Sequence, residues 1–204
     1  MRDARVDRWL AALLATPGLT AIADPADARR VHVEEALAAL PLVGDGPLAD
    51  VGSGGGSPGI PIAAARPDLR VDLVESSERK CAFLRAQAHE FPNVSVVCVR
   101  AEDWGRGAGR DAYATVLARA LAPPPVAAEW CLPLVHPGGR LVVFAGEADE
   151  RRADAVARRL GARLAGVVAA EEAERRRLLV FEKLAPTPEA FPRRPGVARK
   201  RPLA

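Results

Sequence analysis

A glycine-rich turn at residues 50–59 is the segment whose residue types best suit the binding of a ligand. It reads DVGSGGGSPG, follows the short apolar run 48–51, and leads into a helical pattern at about residue 58. Glycines let the backbone adopt positive φ angles and let a ligand approach the main chain closely. The first turn of the following helix offers unpaired N–H groups to a polar or anionic ligand. The sequence therefore predicts a nucleotide-type site at this turn.

The spacing of the glycines distinguishes between the ligands that such turns bind. A dinucleotide fingerprint requires G-x-G-x-x-G, whereas Ser57 holds the sixth place counted from Gly52. No Gly-Lys-Ser/Thr triplet follows, which excludes a P-loop. An acid two residues before the first glycine is unsuited to a pyrophosphate but suits the ammonium group of a methionine moiety. We therefore expect S-adenosylmethionine, with a dinucleotide or a glycine loop without ligand as the alternatives, and contacts at Asp50, Gly52, Gly54 and Gly56.

Two further acidic residues lie where the next two strand-like runs end. Glu75 closes the run 70–75, and an acid about 20 residues beyond the glycines typically binds ribose hydroxyls. Ala101 and Glu102 follow the run 94–100, where a backbone amide and a side-chain acid can face an adenine ring. Each residue also has an interpretation without a ligand. Glu75 could simply be an acid that precedes the next helix, and Glu102 could be an ordinary surface acid.

Strands and helices alternate along most of the chain. Strands are expected at 48–51, 70–75, 94–100, 113–118, 140–145, 164–169 and 177–183, and helices between them at about 58–65, 77–90, 122–135 and 148–160. This alternation favours parallel strands joined by helical crossovers. The seven residues 170–176 are too few for a crossover helix, so the last two strands should pair antiparallel. The expected fold is α/β: a Rossmann-like, seven-stranded, mostly parallel sheet with an antiparallel last strand and helices on both faces, like that of class I methyltransferases.

The chain divides into three parts by its sequence pattern. Two helical segments, at about 4–15 and 25–40, form an N-terminal helical extension at 1–46. The methyltransferase domain that binds S-adenosylmethionine is expected at 47–185, and a basic C-terminal arm at 186–204. From residue 193 onward the arm has five basic residues and no acidic one, and the whole arm from Pro186 has five prolines. An extended conformation is therefore expected for it.

Composition and cysteine spacing exclude several functional classes. The chain has 204 residues, a net charge of +3 and 49% hydrophobic residues, as in ordinary globular proteins. No apolar run approaches the roughly 20 residues that span a bilayer, and we expect a cytoplasmic monomer without membrane contact. The three cysteines, Cys81, Cys98 and Cys131, are too far apart for a zinc site and odd in number, so they are predicted to be core thiols. The histidines show no metal-binding spacing either, and no metal is expected.

Several short motifs distributed along the chain together indicate a family resemblance. The most specific are SPGIP at 57–61 and the tail FPRRPG at 191–196, which is followed by KRPL at 200–203. DVGSG at 50–54 and RAED at 100–103 accompany them. On these motifs the sequence resembles the bacterial 16S ribosomal RNA guanine-N7 methyltransferases, the glucose-inhibited division protein B group. The resemblance covers most of the chain.

The resemblance implies roles for individual residues. Cofactor contacts are implied at Gly52, Ser57, Ala101, Glu102 and Arg119. An arginine at the carboxyl edge of a sheet could meet the methionine carboxylate or an RNA phosphate, or form a salt bridge at the rim. If the acceptor is 16S ribosomal RNA in the small ribosomal subunit, the basic tail would contact phosphates; its residues are Arg193, Arg194, Arg199, Lys200 and Arg201.

The implied reaction requires little acid–base chemistry. Guanine N7 carries an unprotonated lone pair at neutral pH, so methyl transfer needs positioning and desolvation rather than a general base. No catalytic residue is identified, apart from a positioning role for Arg119. The family usually has a bulky apolar residue at Ser57, an acid at Ala114 and a lysine at Ala145. These differences leave two alternatives: a divergent methyltransferase for a small molecule or protein, or a non-catalytic cofactor-binding module.

Overall fold

Seven strands form one sheet in the computed structural model, which describes residues 3–146, 150–169 and 177–204. They are β1 Leu48–Val51, β2 Val71–Glu75, β3 Val94–Cys98, β4 Tyr113–Arg119, β5 Val135–Ala145, β6 Ala162–Ala169 and β7 Arg177–Lys183, in the order β3-β2-β1-β4-β5-β7-β6. Neighbours from β3 to β5 pair parallel, and β7 runs antiparallel to both β5 and β6. The predicted sheet is therefore confirmed. The connection 170–176 lies outside the described residues.

Helices cover both faces of the sheet because alternate strand residues are apolar on each side. They are α1 Ala4–Ala15, α2 Pro25–Arg29, α3 Glu35–Leu37, α4 Gly59–Ala65, α5 Glu78–Ala88, α6 Ala101–Trp104, α7 Pro124–Cys131, α8 Glu150–Arg159 and α9 Val197–Lys200. Leu73 and Leu117 pack in one cluster with residues of α1, α4 and α5. Their neighbours Val74 and Val116 pack in the other cluster, with α7, α8 and α9. Successive strand residues point to opposite faces, so each strand contributes to both cores.

The N-terminal extension forms part of the first of these layers. In α1 the buried residues Val6, Trp9, Leu10 and Leu13 follow the spacing of one helix face. The single helix expected at 25–40 is instead interrupted by a π-helical segment, Arg30–Glu34, and then continues as α3. Wide turns of this kind are frequent at functional sites. Within this one, backbone carbonyls accept hydrogen bonds from side chains at the carboxyl edge of the sheet.

Two other expected helices differ at their ends. The helix expected at 122–135 ends at Cys131, a 3₁₀ turn follows at Leu132–Leu134, and β5 begins at Val135. Pro133 lies in this turn, and proline cannot continue an α-helix because it lacks the N–H. The helix expected at 148–160 appears as α8, although residues 148 and 149 lie outside the described residues.

The prediction of three core thiols is wrong for two of the cysteines. Cys81 in α5 and Cys98 at the end of β3 are joined by a disulfide. They are 17 residues apart in sequence, but the parallel pairing of β2 with β3 brings the start of α5 beside the end of β3. Cys131 is a free and buried thiol, as predicted.

The C-terminal segment is not the extended arm that its sequence suggested. Thr187, Phe191 and Ala198 are buried, and residues 197–200 form α9. The Lys183 ammonium, also buried, donates to Thr187 Oγ1 at 2.6 Å and to Leu132 O at 2.9 Å. This segment therefore packs against the domain, because its apolar and polar groups both find partners there.

An ion pair between the partly exposed Arg193 and the buried Glu129 attaches this segment to α7. The guanidinium of Arg193 donates to both carboxylate oxygens of Glu129, at 2.5 and 2.6 Å. The Glu129 side chain is 2% exposed, so it depends on this partner for compensation of its charge. A phosphate contact by Arg193 was expected, but its guanidinium is directed into the protein.

None of the described helices combines the length and the apolar character needed to cross a membrane.

We expect Arg193→Ala to lower the free energy of unfolding by about 2–3 kcal/mol, because the substitution leaves the Glu129 carboxylate buried without its bidentate partner. Urea denaturation of the purified protein measures the change. Arg194→Ala is the matched control, since Arg194 is exposed, and it should change stability by less than about 0.5 kcal/mol. Equal effects of the two substitutions would contradict the role assigned to Arg193.

Candidate functional site

Three cavities lie in series along the carboxyl edge of the sheet. The order of strands changes direction at β1, and open α/β sheets bind ligands at such a switch point. The first cavity, of about 360 Å³, lies at the ends of β1 and β2 and after β3. The second, of about 210 Å³, lies between the glycine turn and the end of β4. The third, of about 520 Å³, lies beyond the ends of β4 and β5.

The three cavities are continuous because each one shares lining residues with the next. Gly52, Lys80 and Ala120 line both the first and the second cavity. His32, Arg119 and Ala120 line both the second and the third. Ala120 thus contacts all three, and its φ angle of 53° is in the left-handed region that residues with a side chain seldom adopt. Such strained positions cluster at functional sites.

The glycine turn is held close against the chain that follows β4. Gly52 has a φ angle of 73°. A Cβ atom placed on it would lie 2.5 Å from Leu121 Cδ1. Only glycine meets both requirements without strain. On the other side of the turn, Trp9 of α1 donates from Nε1 to Gly55 O at 2.8 Å. The turn is therefore fixed from both sides with its backbone facing the first two cavities.

Asp50 lies beneath the turn and lines none of the three cavities. Its carboxylate, 1% exposed, accepts a hydrogen bond from Gly59 N at 3.0 Å. Burial raises the pKa of Asp50 to about 7, although the Gly59 hydrogen bond and the charge of Arg119 act in the opposite direction. Asp50 was expected to meet a ligand ammonium, but in this position it holds the two ends of the turn together.

Glu75 is fixed at the rim of the first cavity. One carboxylate oxygen accepts from Gly54 N at 3.0 Å, and the other accepts from the amides of Ser76 and Ser77 at 2.8 and 2.9 Å. The side chain is buried, yet a carboxylate has about four acceptor positions and these bonds use three. An acid held in this way is a rigid acceptor for hydroxyl groups.

The far wall of the first cavity comes from α6 and the C-terminal segment. Ala101 and Glu102, both expected here, line it together with Trp130 and Arg199. Glu102 is 3% exposed and accepts from Gly196 N at 2.9 Å. The C-terminal segment therefore closes this cavity. Of the five basic residues predicted in the tail, Arg199 lines it; Arg193, Arg194, Lys200 and Arg201 do not.

Arg119 connects the end of β4 with the π-helical segment. It donates from Nη1 to Val31 O at 2.6 Å, and Nη2 lies 3.0 Å from His32 Nδ1. Because arginine can only donate, His32 Nδ1 accepts, and Nε2 carries the proton that bonds Thr20 Oγ1 at 2.9 Å. Burial lowers the pKa of Arg119, while the charge of Asp50 raises it. The guanidinium thus forms a fixed wall between the second and third cavities.

Ser57 and Gly54, both predicted from the turn, line the second cavity, whereas Gly56 does not. Ser57 Oγ donates to His32 O at 2.6 Å, so this side chain joins the turn to the N-terminal extension. Leu13 and Leu19 of that extension complete the lining. Sequence reasoning missed this contribution of the extension, together with Lys80 and Trp130, because no local pattern relates these residues to the glycines.

The raised pKa of Asp50 makes stability depend on pH. The folded protein binds this proton more tightly than the unfolded chain, so the contribution is fully present below the unfolded value of 3.8 and is lost as the pH rises through about 7. We expect the stability of the wild type relative to Asp50→Asn to fall by on the order of 3 kcal/mol between pH 4 and pH 7. Urea denaturation at constant ionic strength measures it. The control is Glu189→Gln, a substitution of an exposed residue, whose free energy of unfolding should change with pH as that of the wild type does. Parallel pH profiles of this free energy for the wild type and Asp50→Asn would refute the prediction.

Comparison with solved structures relates the fold to methyltransferases. Geranyl diphosphate C-methyltransferase from Streptomyces coelicolor superposes with a TM-score of 0.63 at 14% identity, over 85% of this chain and 88% of that one. The Thermus thermophilus 16S rRNA N2 G1207 methyltransferase superposes with a TM-score of 0.52 at 18% identity, over 72% of this chain and 37% of that one. At these identities the comparison establishes the fold alone.

Comparison of sequences identifies the family as well as the fold. The protein named ribosomal RNA small subunit methyltransferase G in Rubrobacter xylanophilus is 43% identical over 187 residues, covering 84% of this chain and 72% of the relative. The protein of the same name in Pelotomaculum thermopropionicum is 40% identical over 197 residues, covering 91% and 82%. The model of the family described as rRNA small subunit methyltransferase G matches residues 8–179. The chain belongs to the rRNA small subunit methyltransferase G family.

Proposed function

We propose that the protein transfers the methyl group of S-adenosylmethionine to N7 of a guanine in 16S ribosomal RNA. The observation that carries the proposal is the pair of continuous cavities at the glycine turn, in a chain of this family. The buried acid Glu75 at the rim of the first cavity is the kind of group that typically binds ribose hydroxyls.

The residues along the two cavities fit the proposed cofactor part by part. In the first cavity, Glu75 would accept from the ribose hydroxyls, and Ala101 and Glu102 would read the edge of the adenine ring. In the second, the amides of the turn and the side chains of Ser57 and Arg119 would surround the methionine part. Gly52 lines both cavities, and its close packing against Leu121, where a Cβ would lie 2.5 Å from Cδ1, supports this fit.

The chain's contribution to the reaction is positioning. The cofactor supplies an electrophilic methyl group on a sulfonium, and the N7 lone pair of guanine attacks it without loss of a proton. Transfer would leave the positive charge on the base and release the thioether, so no side chain of the chain would have to accept a proton. A rigid turn and a fixed Arg119 guanidinium would hold the reactants in line and exclude water, and positioning of this kind can lower a barrier by about 7–11 kcal/mol.

The proposed RNA contacts are revised by the packing of the C-terminal segment. Arg194, Lys200 and Arg201 are exposed and remain the phosphate contacts that we propose. Arg193 is paired with Glu129, and Arg199 lines the first cavity. Neither residue is therefore included among the phosphate contacts that we propose. Truncation of the tail would remove these contacts as well, and point substitutions therefore test the RNA interaction more cleanly.

The decisive experiment supplies the protein with S-adenosylmethionine labelled in its methyl group and small ribosomal subunits that lack the modification. We expect label in 16S ribosomal RNA, recovered as N7-methylguanosine by mass spectrometry of nuclease digests. Label in another nucleoside would overturn the choice of N7. Label only in protein or small molecules, or none while the cofactor binds, would favour the divergent or the non-catalytic alternative.

We expect Gly52→Ala to weaken the binding of S-adenosylhomocysteine by at least about 10-fold, since a side chain would intrude between the turn and Leu121. Gly138→Ala is the matched control. Gly138 also has a positive φ angle, 87°, but no heavy atom of the described residues lies within 4 Å of a Cβ placed there. Isothermal titration calorimetry measures both variants. The control should share the backbone strain and bind normally, and normal binding by Gly52→Ala would refute this placement of the cofactor.

A further inference from the structure

The third cavity is larger than the second and is not needed for the cofactor in the proposed arrangement. We propose that it receives the acceptor base, turned out of the RNA, and that the ring of Phe144 is the surface on which this base stacks. The inference rests on the proposed function and adds to it the residue that positions the acceptor.

The position of the cavity supports this assignment. A methyl acceptor must come within about 3–3.5 Å of the transferred carbon, and that carbon belongs to the methionine end of the cofactor. The second cavity, proposed for that end, adjoins the first cavity on one side and the third on the other. Since adenosine would occupy the first, the acceptor must approach through the third, past Ala120.

The lining of the third cavity has the composition that a flat base requires. Two ring side chains, Phe144 and His32, and the guanidinium of Arg119 line it with small or apolar residues. Unstacked RNA bases are bound by aromatic rings, by histidine and by arginine planes. The volume of about 520 Å³ lies within the range of about 300–1,000 Å³ that is typical of small-ligand sites. Enzymes that modify a base extrude it into such a pocket.

The Phe144 side chain packs against the core and also lines the third cavity. It lies near the end of β5, where it pairs with Leu178 of β7, and it packs at the margin of the core cluster that contains Val142 and Leu178. Its side chain is half-buried, so one part of the ring is held by the sheet while another lines the cavity. This combination gives a stacking surface whose orientation is fixed before the base arrives.

Three substitutions of Phe144 distinguish a role in stacking the acceptor base from a role in packing the protein core. Base stacking on an aromatic residue is weakened about 5- to 150-fold by alanine, so Phe144→Ala should raise the KM for small ribosomal subunits by that factor. Phe144→Leu should lose nearly as much, although it preserves most of the apolar packing. Phe144→Trp should stay close to the wild type. All three should bind S-adenosylhomocysteine with unchanged affinity by calorimetry, and thermal melting should show Phe144→Leu and Phe144→Trp folded.

The control is Leu184→Ala, a substitution of an exposed apolar side chain that lines none of the three cavities, and its KM should not change. Wild-type kinetics for Phe144→Leu would overturn the stacking role. A loss of cofactor affinity in the Phe144 variants would assign the third cavity to the cofactor instead. Failure of the wild type to methylate ribosomal RNA would refute the proposed function itself, which is a separate result.

Discussion

The hydrogen bond from Gly59 N to the buried carboxylate of Asp50 is the constraint on which the site depends. It joins the end of β1 to the start of α4 across the whole glycine turn, so a flexible segment becomes a closed loop of fixed shape. Asp50 and Glu75 act in the same sense from two strands, because each accepts from an amide of the turn. Burial of both acids means that their hydrogen bonds are poorly replaced by water. The backbone amides that remain are thereby oriented before any ligand binds.

The N-terminal extension supplies the second half of this rigidity. Trp9 bonds the turn at Gly55, Ser57 bonds His32 O, and Arg119 bonds Val31 O. These contacts connect α1, the π-helical segment, the turn and the end of β4 in one network. The extension is therefore a wall of the second and third cavities rather than an appendage. This also explains why the expected helix at 25–40 is irregular, since a regular helix would direct these carbonyls along its own axis.

The parts of the structure that follow from sequence are those with a local pattern. Alternation of apolar runs with helical stretches predicts the sheet, the seven-residue connection predicts the antiparallel last pair, and the acid that ends 70–75 predicts Glu75 at the rim. The rest depends on contacts between distant residues. His32 and Arg119 are 87 residues apart, and Arg193 and Glu129 are 64 apart. Neither pair has a signature in spacing, so the sequence predicts the helical extension but not its place in the cavity walls, and it does not predict the packing of the C-terminal segment. The Cys81–Cys98 disulfide likewise depends on the pairing of β2 with β3.

Ala120 shows how backbone conformation sets the order of the three cavities. Immediately after Arg119, its positive φ angle turns the chain sharply away from the direction of β4. Leu121 packs against Gly52 and lines the first cavity, whereas Arg119 lines the second and third, so the residues on either side of Ala120 contribute to different cavities. Alanine is small enough to leave all three connected, and unlike glycine it restricts the unfolded chain. The strain of a left-handed alanine is tolerated because the hydrogen bonds of Arg119 hold the preceding residue in place.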